Sequence, residues 1–185
     1  TFNKGLKIIN LENDKEFELK HEKLNLPIRK ITAIDNSTIW MSIDGGGIGS
    51  FDRFSLEMKN RYSTTAKENN FIITNNIYDI CPANNLVWIT TYNAGVIVFN
   101  KNSIVHYTYS YEQKNDNSIN DNHVNAILED SKGNLWFGTN IGLSMYDTKQ
   151  KKWKNYNNKS SVNKVILSIF EDSNNRIWTS GYAAD

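Results

Sequence analysis

The stretch VNAILEDSKGNLWFGTNIGLSMYD, residues 124–147, decides the fold. It reads as three short strands joined by two tight turns. Val124, Ala126 and Leu128 alternate along one side of the first strand, and Ile127 breaks the strict pattern. Asp130-Ser131-Lys132-Gly133-Asn134 is a turn in which Gly133 supplies the positive φ that hairpin loops need. Leu135 to Thr139 is a second strand, Asn140-Ile141-Gly142 turns again, and Leu143 to Asp147 is a third.

This unit recurs. Trp40, Trp88, Trp136 and Trp178 each follow an aliphatic residue, at separations of 48, 48 and 42 residues. A four-stranded propeller blade takes roughly 40–50 residues. Before each Trp lies an apolar strand: Ile31 to Asp35, Ile77 to Ile80, Val124 to Asp130 and Val165 to Asp172. After it come a small or hydroxyl residue (Ser42, Thr90, Gly138, Ser180), then a turn, then Gly and an aliphatic (Gly47-Ile48, Gly95-Val96, Gly142-Leu143). A third strand ends in Phe51-Asp52, Phe99-Asn100 or Tyr146-Asp147. A more polar fourth strand carries Tyr62, Tyr107 and Tyr109, or Trp153 and Tyr156.

The four strands of a unit are named A to D. A is the most apolar, which predicts a strand buried on both faces, and D the most polar, which predicts an outer edge. The predicted fold class is an all-β propeller fragment of about four blades, each a four-stranded antiparallel meander. The expected division is strands C and D of a split blade over 1–20, blades over 28–64, 72–110 and 124–157, and strands A and B of a split blade over 165–185. Thr1 to Leu6 aligns with Thr91 to Val96, so the chain is expected to be a piece of a longer protein whose targeting segment lies elsewhere. Ser63 to Asn70 has some helical composition but is expected to be a D-to-A loop.

Composition bounds the function. The chain has 185 residues, 39% of them hydrophobic, enough to build cores. A net charge of +1 gives no field for nucleic acid, and none is expected as a partner. Lys149 to Lys152, the densest basic run, reads as a solvated turn. Cys81 is alone, so no disulfide can form within the chain. No apolar run approaches the roughly 20 residues of a membrane span, so any membrane contact would come through the parent protein. The many Asn residues suit turns or reflect genome composition.

The matching positions Val124, Ile127, Glu129-Asp130, Gly133, Leu135-Trp136, Gly138-Thr139, Gly142-Leu143 and Tyr146-Asp147 resemble the two-component regulator propeller repeat. The copy at 165–180 has Asn175 where Gly is usual, and the copies around Trp40 and Trp88 lack the Glu-Asp pair. The resemblance implies a propeller in the periplasmic sensor region of a hybrid two-component receptor, many of which control polysaccharide use. The parent would then be a histidine kinase linked to transcription regulation, and this piece would sense oligosaccharide without being an enzyme.

Chemistry-bearing constellations are few. Glu129-Asp130 and Glu171-Asp172 are adjacent on a strand and point to opposite faces, unlike the facing carboxyls, roughly 5–9.5 Å apart, of glycoside hydrolysis. Asp130 is expected to accept N–H bonds from the following turn. Asp130-x-x-Gly133-x-x-Trp136 is one residue too long for a sialidase Asp-box. No metal and no cofactor is expected: the turn at Asp130 lacks the acids of a calcium loop, and His21, His106 and His123 lack ligand spacing. The periodic Trp residues read as packing between blades, while the off-register Trp153 is a candidate exposed contact.

In a four-strand meander the B-to-C and D-to-A loops share one end. Candidate ligand-binding residues there are Asp44, Tyr92, Asn93, Asn140 and Tyr182 from B-to-C turns, with Asn76, Asn122 and His123 from D-to-A loops. Their amides and aromatics suit a neutral oligosaccharide. A structural or protein-interaction propeller is the alternative, and a carbohydrate-active enzyme is disfavoured by the lack of a convergent acid pair. The complementary strands at the two ends predict self-association of the piece, or closure on itself.

Overall fold

Short β-branched and aromatic runs separated by Asn, Asp and Gly turns favour hairpins over helices. The computed structural model describes residues 6–18, 26–65, 72–101, 106–156 and 165–182, and these contain no helix. Their strands are β1 (Lys7–Ile9), β2 (Glu16–Glu18), β3 (Ile28–Ala33), β4 (Thr38–Ile43), β5 (Gly47–Asp52), β6 (Met58–Tyr62), β7 (Ile77–Ala83) and β8 (Leu86–Thr91). They continue as β9 (Val96–Asn100), β10 (His106–Tyr109), β11 (Val124–Glu129), β12 (Leu135–Thr139), β13 (Gly142–Asp147), β14 (Lys152–Tyr156), β15 (Val165–Glu171) and β16 (Ile177–Tyr182). The described strands form three four-stranded sheets, β3–β6, β7–β10 and β11–β14, and two two-stranded sheets, β1–β2 and β15–β16, each ordered as a meander. Of the Ser63 to Asn70 segment, residues 66–70 lie outside the described residues, and Thr64-Thr65 form a turn. The chain divides into two compact units, Thr1–Ile77 and Tyr78–Asp185.

Burial corrects one expectation. The deepest strands of the four-stranded sheets are the second and third, such as β4, β5, β8 and β9, rather than the first. A middle strand is hydrogen-bonded along both edges and shielded by a neighbour on either side, which the first strand is not. The fourth strands are the polar ones, with β10 exposed at His106, Tyr107 and Thr108. A bulge between Val124 and Ala126 explains why Ile127 breaks the alternation: one extra residue, Asn125, resets the facing of the strand, and Ile127 is buried.

Each four-stranded sheet is braced by a tryptophan of its second strand against a tyrosine of its fourth. The pairs are Trp40–Tyr62, Trp88–Tyr109 and Trp136–Tyr156, with ring centroids 5.1, 5.7 and 5.5 Å apart. In the second unit Trp88 also meets Phe137 and Tyr146 of the following sheet, at 6.0 and 5.4 Å. These rings join Val96, Val98, Ile119, Leu135 and Trp153 in one core. Trp153 is thus 8% exposed and packs on Tyr109, Phe137 and Tyr146, which corrects its reading as an exposed contact. Trp178 departs the other way, at 56% exposed, because its sheet has only two strands to cover it.

The loops are clamped by a device that repeats. Gly47 and Gly95 open the third strands at φ 80° and 72°. Each donates its N–H to the carbonyl of an asparagine in the loop after the fourth strand, Asn75 at 3.3 Å and Asn122 at 3.0 Å. The side-chain oxygens of those asparagines accept N–H bonds from Thr64 at 2.9 Å and Tyr111 at 2.7 Å. A Cβ on Gly95 would stand 2.1 Å from the Tyr109 carbonyl oxygen, so only glycine fits. Three residues before each asparagine, Ile72 and Ile119 anchor the loop at 1% and 0% exposure.

Asp130 closes its turn as expected, accepting N–H bonds from Lys132 at 2.9 Å and Asn134 at 2.8 Å. It also takes the Trp136 indole N–H at 2.8 Å, and Asp172 takes that of Trp178 at 2.7 Å. Burial pushes the Asp130 pKa up, but the donated bonds outweigh it and leave the carboxyl below its ordinary value. At Asp172 the Trp178 indole is the largest cause of a pKa held down to about 2. Replacing Asp130 by Ala is expected to cost about 1–3 kcal/mol of unfolding free energy at neutral pH, read by urea denaturation. A depressed folded pKa stabilises above the unfolded value and is lost as pH falls through the folded one, so this difference should shrink below about pH 4. A gap that persists unchanged at low pH would contradict the carboxylate's role.

Candidate functional site

The residue four beyond each repeated Trp is Asp44, Tyr92, Asn140 or Tyr182, where the second strand of its sheet ends. The first strand of each sheet delivers a partner beside it. Bulges between Ile28 and Lys30, and between Val124 and Ala126, turn Arg29 and Asn125 out of the ladder. Arg29 Nη2 then donates to Asp44 Oδ2 at 3.1 Å, and Asn125 Nδ2 donates to Asn140 Oδ1 at 3.0 Å. In the β7–β10 sheet the pair is Tyr78 and Tyr92, with ring centroids 5.7 Å apart. A bulge in β15 places Leu167 likewise, and Leu167 and Tyr182 are 50% and 57% exposed. Bulged first strands thus carry an ion pair in one copy and an amide pair in another, and Tyr78 pairs with the corresponding Tyr92 in a third.

Within the second unit the candidates converge around Tyr92. The His123 ring meets Tyr92 edge-on at 4.7 Å, and its Nδ1 lies 3.4 Å from Asp121 Oδ1. The His123 carbonyl accepts the Asn140 N–H at 3.2 Å, so Asn140 is held by His123 on one side and by Asn125 on the other. Asn125 Nδ2 also donates to the Ile166 carbonyl at 3.1 Å, tying the site to the next sheet. Tyr92 and Asn93 are exposed, whereas Asn140 and His123 are half-buried. Asn122 sits beside His123, but its carboxamide oxygen is engaged by Tyr111 in the loop clamp. No contact joins Tyr182 to this group among the described residues. Asp44, with Arg29, and the exposed Asn76 belong to the first unit.

The partners Tyr78, Asn125 and Asp121 escaped sequence reasoning. For Tyr78 and Asn125 the signal was an aromatic or polar residue ten or eleven positions before Trp88 and Trp136. Two buried groups elsewhere are scaffold. Tyr109 and Tyr146 share a hydrogen bond at 3.0 Å, and burial first, then that bond, raises the Tyr109 pKa far above its ordinary value. Burial, with the Asp130 charge second, pushes Glu129 up as well. No group of three or more potential metal ligands occurs among the described residues.

A family model described as two component regulator propeller matches residues 118–140. This stretch is similar to the two-component regulator propeller repeat. The match begins at Ser118, upstream of the strand, where Ser118, Ile119 and Asn120 are buried and Thr139 Oγ1 donates to Asn120 Oδ1 at 2.9 Å. A histidine kinase of Formosa agariphila is 28% identical over 146 residues, covering 74% of this chain and 10% of the kinase. Two extracellular domains assigned to hybrid two component systems of B. thetaiotaomicron superpose on 96% of the chain. Their TM-scores are 0.76 and 0.72, at 20% and 15% identity, and the match covers 22% and 25% of those chains. The sheets are therefore blades of a β-propeller, and the chain spans a quarter or less of these relatives. The Tyr92–His123 contact predicts a ring-current shift of the His123 ring-proton NMR signals that is lost in Tyr92→Leu; signals that do not move would refute it.

Proposed function

We propose that this chain is part of the extracytoplasmic sensor propeller of a hybrid two-component receptor, and that it recognises a neutral oligosaccharide without transforming it. The observation that carries this reading is the exposed Tyr92 ring, edge-on to His123 and flanked by Tyr78, with the Asn125–Asn140 amides positioned alongside. A sugar ring offers an apolar C–H face for stacking and a rim of hydroxyls for hydrogen bonds, and aromatics interleaved with amides supply both. The match to the propeller repeat, and the likeness to a histidine kinase and to extracellular domains of two component systems, support placing it outside the membrane in a kinase receptor.

The chain would act by binding alone: sugar would favour one arrangement of the sensor over another, which requires a difference in affinity between the two. Self-association belongs to the same reading. The two-stranded sheet β15–β16 exposes Phe170 and Trp178, at 63% and 56%, and a β1–β2 hairpin of a second copy would extend it.

Calorimetric titration of the intact sensor with a panel of neutral oligosaccharides tests the binding. A hit should weaken about tenfold, roughly 1.4 kcal/mol, in Tyr92→Ala and in Asn140→Ala. Undiminished affinity in both would overturn the site, and turnover of the bound sugar would overturn the non-catalytic role. Sedimentation should show the chain associating; a strict monomer at high concentration would remove that part.

A further inference from the structure

At the opposite end of the sheets of the second unit, one tryptophan lacks what the other two repeated ones have. Six residues before Trp136 and Trp178 stand Asp130 and Asp172, each accepting the indole N–H. The turn before Trp88 is one residue shorter, with only Asn84-Asn85 between β7 and β8, so the position of Asp130 and Asp172 falls on Ala83, whose methyl offers no acceptor. Trp88 keeps the same stacked relation to its fourth-strand tyrosine as Trp136, and it carries the same indole N–H donor. It has no hydrogen-bond partner among the described residues, although the side chain is 2% exposed and no fully buried polar atom goes unpaired. A donor that is neither bonded nor sealed off must open on accessible space.

Trp88 lines a cavity of about 270 Å³ in the second unit, together with Ala83, Asn84, Leu86, Tyr107, Tyr146 and Lys151. Its walls combine aromatic and aliphatic side chains with the amide of Asn84 and the ammonium of Lys151. No carboxylate lines it, and Lys151 forms no ion pair among the described residues. A second cation, Lys101, reaches the same turn through a 3.0 Å bond to the Asn84 carbonyl. The volume lies just below the roughly 300–1,000 Å³ of ordinary ligand pockets, which limits the occupant to about one ring.

We propose that this cavity binds a small aromatic monocarboxylate, whose anionic group gives Trp88 the acceptor that Asp130 and Asp172 give Trp136 and Trp178. The ring lies between Leu86 and the tyrosines, and Lys151 neutralises the charge. The site is independent of the oligosaccharide reading, since it uses the turns at the other end of the sheets.

The test is an NMR titration of the five tryptophan indole N–H signals with benzoate, and with benzamide as the uncharged isostere. Benzoate should move the assigned Trp88 signal most, saturably, and bind about tenfold more tightly than benzamide. Lys151→Met, at an exposed position, should weaken benzoate without altering the fold. Ala83→Asp should supply the acceptor internally, shift the Trp88 signal without ligand, and abolish benzoate binding. A Trp88 signal that never moves, equal affinity for benzamide, or full affinity in Lys151→Met would overturn the proposal. If Ala83→Asp fails to fold, the Lys151→Met and benzamide arms decide alone.

Discussion

The sheets depend on one contact made across two intervening ladders: the second-strand tryptophan lying on the fourth-strand tyrosine. Trp40–Tyr62, Trp88–Tyr109 and Trp136–Tyr156 repeat it. A buried aromatic removes about 150–250 Å² from water, roughly 4–6 kcal/mol per ring before conformational entropy is charged against it. The contact also has a geometric consequence. It fixes the facing of the second and fourth strands together, so a one-residue slip in either would lose it. In the second unit Trp88 additionally reaches Phe137 and Tyr146, so the contact that braces one blade also packs it on the next.

With the scaffold held by these rings, by the glycine–asparagine clamp and by the aspartate turns, the remaining positions are free to differ. They differ most in the first strand and at the residue four beyond each Trp, where Arg29–Asp44, Tyr78–Tyr92 and Asn125–Asn140 replace one another. Variation confined to one place in each copy is the expected signature of recognition carried on a repeated frame. Ala83, at the position of Asp130 and Asp172, is a variation of the other kind, in the frame itself, and it borders a gap lined with rings.

The period of the tryptophans made the strands and turns legible, because packing across a sheet needs the same residue at the same place in every copy. The acceptor role of Asp130 was legible too, from turn chemistry alone. The bulges were not, since Arg29, Asn125 and Leu167 share no residue type, and without them the partners of Asp44, Asn140 and Tyr182 had no visible place. Trp153 was misread because its strand is polar on one face only; the other face looks into the core. Trp178 was misread because a repeat position implies burial only where the sheet has its third and fourth strands. Ile72 and Ile119 look like loop residues in isolation and show their anchoring role only through the asparagine clamp three residues on.

The central claim is that the frame is constant and recognition sits at the positions where the copies diverge. Backbone hydrogen exchange, measured with and without a neutral oligosaccharide that binds, tests it most directly. The account predicts added protection concentrated at Tyr92–Asn93, Asn122–His123 and Asn140, with the turns around Asp130 and Asp172 unchanged. Protection centred on those aspartate turns, or spread evenly over every blade, would contradict it.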